Sequence, residues 1–305
     1  MAAYLFVHFI GEQKDGEQIY FSVSRDGLHW TDLNEGRPVL KSTIGTKGVR
    51  DPFVVKHPDT GKYYLIATDL RIEAGLGWEA AQYHASRDLI VWESADLVNW
   101  SGPRACTVGI EGAGCVWAPE AVYDRQKDSF FVFWASMTRK PGEAEGRQRI
   151  YAAWTKDFRE FTEPFLYIEK QQHVIDTTII ENGGRFYRVS KDETGKCLIL
   201  EACDTLTGEF REIHSDTLSK LFGVEGPECY PLPDGKNWCL IADRFAEGKG
   251  YLPMRVTDWE KGQITILEES EYDFGRTKKR HGGVLPITDE AYEALGKHTF
   301  ADAVE

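Results

Sequence analysis

Three carboxylates stand at nearly matched places in the chain: Asp51 in "VRDP", Asp176 in "VIDT" and Glu225 in "VEGP". Each begins a run rich in aliphatic and aromatic residues. An isolated Asp-Pro is a turn signal; three acids at matched places in a repeat ask for a different reading. Carboxylates gathered at one spot repel, so one is pushed toward protonation while another stays charged. That provides a general acid and a general base near neutral pH, the pair that hydrolysis of a glycosidic bond requires. On this reading burial and Asp176 keep Glu225 protonated.

The three residues are far apart in sequence, so the fold must gather them. The runs "KYYLIATDL", "SFFVFWASM", "RFYRVSKD" and "NWCLIADRF" read as strands, each after a turn-like patch. Aligned, they fall into a weak repeat. A unit opens with an acidic or Pro-containing strand ("VRDPFVVKH", "VWAPEAVYD", "VIDTTIIEN", "VEGPECYPL"), continues with an aromatic strand and a third strand, and ends with an aromatic closing piece such as "SADLVNW" or "TKDFREF". The first thirty residues supply the later parts of a further unit, and "RHGGVLPIT" is a spare opening strand. Four units and two complementary halves make five. A ring of sheets must close or leave an edge exposed. The expected fold is therefore all-β, a single five-bladed β-propeller over residues 1–305, its last blade closed by the N- and C-terminal segments. A β-sandwich is the alternative that such strand spacing leaves open. The segments "IEAGLGWEAAQYHAS" and "RKPGEAEGRQR" read as extended loops. "DEAYEALGKH" reads as a helix capped by Asp289.

Composition narrows the partners. A net charge of −13 opposes binding to nucleic acid or an anionic membrane through a broad basic surface. No run is long and apolar enough for a membrane span, and the start lacks the pattern of a signal peptide. The expected location is the cytoplasm. The six cysteines form no Cys-x-x-Cys pair and read as reduced core thiols.

Through "RDP", "WAPE", "IDTT", "EGPE" and "RHGG", in that order, the chain resembles glycoside hydrolase family 43. It departs from the family pattern at Thr177, where Pro usually follows the middle acid. The resemblance implies a five-bladed propeller that removes arabinofuranosyl or xylosyl units with inversion. It implies Asp51 as general base, Glu225 as general acid, and Asp176 as the residue that orients the acid and raises its pKa. It also implies that Arg280 binds substrate hydroxyls or the acid pair. Trp117 and Trp78 suit sugar platforms; His84, His173 and Glu120 are further pocket candidates. No cofactor is required for the chemistry. The resemblance implies a structural calcium in the central channel, with His281 beside it through water.

The expected substrates are pentose-containing oligosaccharides, with terminal α-L-arabinofuranosyl units leading and β-D-xylosyl units, or both, as the alternative. With no carbohydrate-binding module visible, short oligosaccharides are expected over intact polymer. A non-catalytic sugar-binding propeller is the competing class, but binding alone does not require three acids held together at the axis. A phosphorylase would need a basic phosphate site, for which "GRTKKRHGG" is the sole basic run.

Overall fold

The structure, a computed structural model, describes residues 3–300; residues 1–2 and 301–305 of the expected 1–305 domain lie outside that range. Strands β1 (Ala3–His8), β2 (Tyr20–Ser24) and β3 (Trp30–Asp32) come first. Four sheets follow in chain order. The first contains β4 (Val49–Lys56), β5 (Tyr63–Asp69), β6 (Asp88–Ser94) and β7 (Arg104–Thr107). The second contains β8 (Trp117–Asp124), β9 (Ser129–Thr138), β10 (Arg147–Thr155) and β11 (Phe165–Ile168). The third contains β12 (Val174–Asn182), β13 (Arg185–Asp192), β14 (Cys197–Cys203) and β15 (Arg211–Glu212). The fourth contains β16 (Glu225–Pro231), β17 (Trp238–Asp243), β18 (Tyr251–Asp258) and β19 (Gln263–Ile266). Finally β20 (Gly282–Ile287) pairs antiparallel with β1, from Ala3 opposite Ile287 to His8 opposite Gly282, and completes a fifth sheet, β20-β1-β2-β3.

The opening strands β4, β8, β12, β16 and β20 each pack beside the next, and β20 returns to β4. The five sheets thus form a β-propeller with these strands around its axis. The core lies between blades. Phe130, Val132 and Trp134 of the second blade pack on Tyr64, Ile66 and Val91 of the first. Phe6 and Tyr4 of the closing blade meet Tyr230, Ile241 and Tyr251 of the fourth. Second strands have neighbours on both faces, so β5 and β9 are buried along their whole length. This is why their sequences run apolar without alternation.

The closing pieces form turns between third and fourth strands, while other local expectations change. In Ser94–Trp100 the Ser94 hydroxyl accepts the Leu97 N–H, Leu97 adopts φ 68°, and Asp96 accepts the N–H groups of Val98 and Asn99. Thr155–Phe161 repeats the geometry with Phe158 at φ 59°. Of the expected loop "RKPGEAEGRQR", the last three residues belong to β10, where Gln148 and Arg149 are buried. "IEAGLGWEAAQYHAS" contains a short helix, α1 (Trp78–Tyr83). The C-terminal helix α2 (Asp289–Lys297) is capped by Thr288, whose hydroxyl accepts the Ala291 N–H, so Asp289 sits in its first turn. Four cysteines are buried, while Cys197 and Cys203 are half-buried.

Phe6 is fully buried on β1, where the ring of blades closes. Phe6→Ala is expected to lower unfolding stability by about 3–5 kcal/mol, read as a lower urea midpoint. A loss under 1 kcal/mol, the surface-like range, would contradict this packing.

Candidate active site

The four complete blades begin alike. Val49, Val116, Val174 and Val224 are buried just before the opening strands or at their first residue. Two residues after each valine the backbone turns into the left-handed region: Asp51 at φ 49°, Ala118 at 47°, Asp176 at 47° and Gly226 at 53°. At the same place the register with the neighbouring strand shifts, the mark of a β-bulge. Asp tolerates this conformation better than most residues. Gly226 is needed twice over, because a Cβ there would lie 2.7 Å from the His281 ring. The bulge brings two side chains to the axial mouth in the first and third blades and one in the second and fourth. Asp51 and Asp176 share one place, while Glu225 stands one place earlier, level with Arg50, Trp117 and Ile175.

All six of these side chains line one cavity of about 360 Å³ on the axis, together with Arg280 and His281. Trp78 lines it too, 46% exposed, with its ring edge-on to Trp117 at 6.1 Å. The predicted trio, Trp117, Trp78, Arg280 and His281 therefore meet. The other three candidates do not line the cavity. His84 is exposed at the end of α1, and His173 accepts the Gln148 N–H from behind the wall. Glu120 is buried, with Thr178 and Glu228 nearby: Thr178 donates to Glu228, and burial together with the Glu228 charge pushes the Glu120 carboxyl well up.

The charges interlock. His281 Nδ1 lies 3.5 Å from Asp51 and 3.8 Å from Asp176. Burial alone would deprotonate the ring, but Asp176 and Asp51 outweigh it and raise its pKa to about 9. Burial pushes the Asp51 carboxyl up; its hydrogen bond with His281, the charges of His281 and Arg50, and the Thr68 hydroxyl at 3.0 Å together hold it below the usual aspartate range. Asp176 has less compensation, and burial pushes it up to about 6. Its carboxylate accepts the N–H of Gly226 at 3.0 Å, which fixes the backbone beside Glu225.

Glu225 differs from expectation. Lys191 donates to one of its oxygens and Arg280 to the other, both at 2.8 Å. Burial favours the neutral acid, yet these two cations outweigh it and hold the carboxyl below the usual glutamate range. In the free protein the trio's raised pKa belongs to Asp176, not Glu225. Each cation also has a second anion: Glu193 lies 2.6 Å from Lys191, and Asp243 accepts from Arg280.

Sequence reading missed Lys191, 2% exposed on β13, and Arg50. Arg50 sits between the Phe9 and Trp78 rings and donates to Glu17, which also accepts the N–H groups of Ile72 and Glu73. Glu17 thereby ties the segment leading to α1 to the cavity wall. The signal for Arg50 was its place next to Asp51 in the repeat. In the basic run 275–283, Lys279 is buried against Asp32 and Arg280 serves Glu225 and Asp243, while Arg276 and Lys278 are exposed. At the place where the resemblance implies a calcium, His281 lies between the Asp51 and Asp176 carboxylates. Among the described residues no group of three or more His, Cys, Asp or Glu is arranged to hold a metal ion.

Residues 1–293 match a family described as "Probable glycosyl hydrolase domain", related to family 43. An α-L-arabinofuranosidase of Bifidobacterium longum subsp. longum is 32% identical over 90% of this chain. The chain spans only 30% of that relative's length. Among solved structures, the catalytic domain of a family 62 α-L-arabinofuranosidase from Coprinopsis cinerea superposes with a TM-score of 0.55 at 15% identity, covering 80% of this chain and 75% of its own. An exo-β-1,3-galactanase from Clostridium thermocellum superposes at 0.52 with 17% identity, over 76% of this chain and 51% of its own. At such identities these two speak for the fold alone.

The folded pKa of His281, about 9, lies above its ordinary 6.5. Its proton therefore stabilises the fold fully below pH 6.5, and that contribution is lost as pH rises through 9. Glu228, pushed up to about 8 by burial, changes stability in the same direction. The thermal midpoint is expected to fall across this window and to fall less in His281→Gln. Equal slopes for the two proteins would show that the ring carries no raised pKa.

Proposed function

Since the chain belongs to the glycosyl hydrolase family related to family 43, we propose that it is an inverting exo-glycosidase. It releases terminal α-L-arabinofuranosyl units from oligosaccharides derived from arabinoxylan or arabinan. The observation that carries this reading is the meeting of Asp51, Asp176 and Glu225 at one axial cavity with His281 between two of them. The arabinofuranosidase relative supports the choice of sugar.

Asp51, held ionised by His281 and Thr68, is the general base that takes a proton from the attacking water. Glu225 is the general acid for the leaving oxygen. It must first gain a proton, and the paired cations make that change tolerable. When Glu225 becomes neutral, Lys191 keeps Glu193 and Arg280 keeps Asp243, so neither cation is left buried and unpaired. A sugar entering the cavity displaces water and weakens the hydration of the ionised form, which favours proton uptake. Asp176 fixes the acid through the Gly226 N–H, and the Asp51 charge opposes ionisation of Glu225. Trp78 and Trp117 offer ring faces and edges at the mouth for the sugar and its aglycone.

Leaving-group dependence tests the assignment. Glu225→Ala is expected to lose about 10²–10⁴ in kcat/KM on arabino-oligosaccharides, whose leaving oxygen needs a proton. Its loss on 4-nitrophenyl α-L-arabinofuranoside should be much smaller. Asp51→Asn should be poor on both. Proton NMR of the first product should show the inverted anomer; retention would replace the water-activating base with a nucleophile. Faster release from the β-D-xyloside than from the arabinofuranoside would overturn the sugar assignment.

A further inference from the structure

Gln148 lies on β10, 1% exposed, and lines the same axial cavity. A buried amide normally finds oxygen or nitrogen partners for its donors and its acceptor. Here the side-chain partner among the described residues is sulfur: Nε2 is 3.6 Å from Cys115 Sγ, and Oε1 is 3.8 Å from the same atom. Burial pushes the Cys115 thiol up to about 11, so it stays neutral, and a neutral thiol is a weak partner in both directions. The same sulfur also accepts the Met137 N–H. The second blade contributes another such group to the cavity lining. Trp117 has its indole N–H buried and without a partner.

The first blade gives Arg50 and Asp51, the third Asp176 and Lys191, and the fourth Glu225. Each of those groups has a polar partner: Arg50 has Glu17, Asp51 has Thr68, Asp176 has the Gly226 N–H, and Lys191 has Glu225. The wall made by the second blade instead presents neutral polar groups whose hydrogen-bonding capacity is unspent. We propose that the Gln148 amide binds a ring hydroxyl of the sugar seated against the three acids, with the Trp117 indole N–H as a second donor from the same blade. A hydroxyl both donates and accepts, which matches an amide offering both, and a site built this way rejects a sugar lacking that hydroxyl. This inference rests on the glycosidase reading of the cavity.

The test combines variants with deoxygenated substrates. Gln148→Met keeps the length of the side chain and removes its polar atoms. On 4-nitrophenyl α-L-arabinofuranoside it is expected to lose about tenfold to a hundredfold in kcat/KM. Among the 2-, 3- and 5-deoxy derivatives, one should be cleaved by wild type and variant at rates within about threefold of each other. Wild-type activity in the variant, or the same loss on all four substrates, would overturn the assignment. If near-UV circular dichroism shows that Gln148→Met has lost its fold, Gln148→Glu is measured on the same four substrates against the same outcomes. If the wild type cleaves none of them, the arabinofuranosidase reading fails, and Gln148 is judged by titrating L-arabinose against tryptophan fluorescence. Binding by wild type that is lost in the variant upholds sugar recognition; equal affinity, or no binding by wild type, refutes it.

Discussion

The arrangement depends on one backbone device, the left-handed bulge that opens four of the five innermost strands. A regular strand would send successive side chains to opposite faces. The bulge instead lets adjacent residues such as Arg50 and Asp51, or Ile175 and Asp176, reach the axial mouth together, with a buried valine as anchor. It also explains why different residue types occupy the turning position. Asp51 and Asp176 combine tolerance of this conformation with a carboxylate, while Gly226 gives up its side chain so that His281 can approach and Glu225 can act from the place before it.

Packing five acids and four bases around a small cavity is costly unless every charge has a partner. Here the partners come from different blades: His281 of the closing segment joins Asp51 and Asp176, and Lys191 of the third blade reaches Glu225 of the fourth. The site and the ring therefore support each other. The blades must close for the charges to be compensated, and once compensated they tie opening strands that share no backbone ladder. Redundancy of anions around Lys191 and Arg280 leaves one member, Glu225, free to change its charge.

Much of this was legible in the chain because the repeat is carried by residues with narrow conformational or chemical tolerance. Asp-Pro, Gly-Pro and the aromatic second strands mark the blades, and the complementary halves at the two ends give the closure. The side-to-side details were not legible, for physical reasons. A strand buried on both faces shows no alternation, so nothing in "RFYRVSKD" tells that Lys191 faces the acids. Gln148 hides in the polar stretch "GRQR", which has loop composition because Arg149 is spent on Glu143, Glu169 and Thr138 beneath the surface. The protonation state of Glu225 was misjudged for the same reason: its pKa is set by two cations from other strands, not by its sequence neighbours.

Pairing of β1 with β20 has a consequence for how the protein is made. A ribosome delivers β1 long before β20, so the seam between them stays open while the four intervening sheets are made. Arg280 and His281 directly precede that final strand, and they are the groups that make the acids tolerable together. The axial charges are therefore compensated only once β20 has docked against β1, so the seam and the cavity are completed in one step.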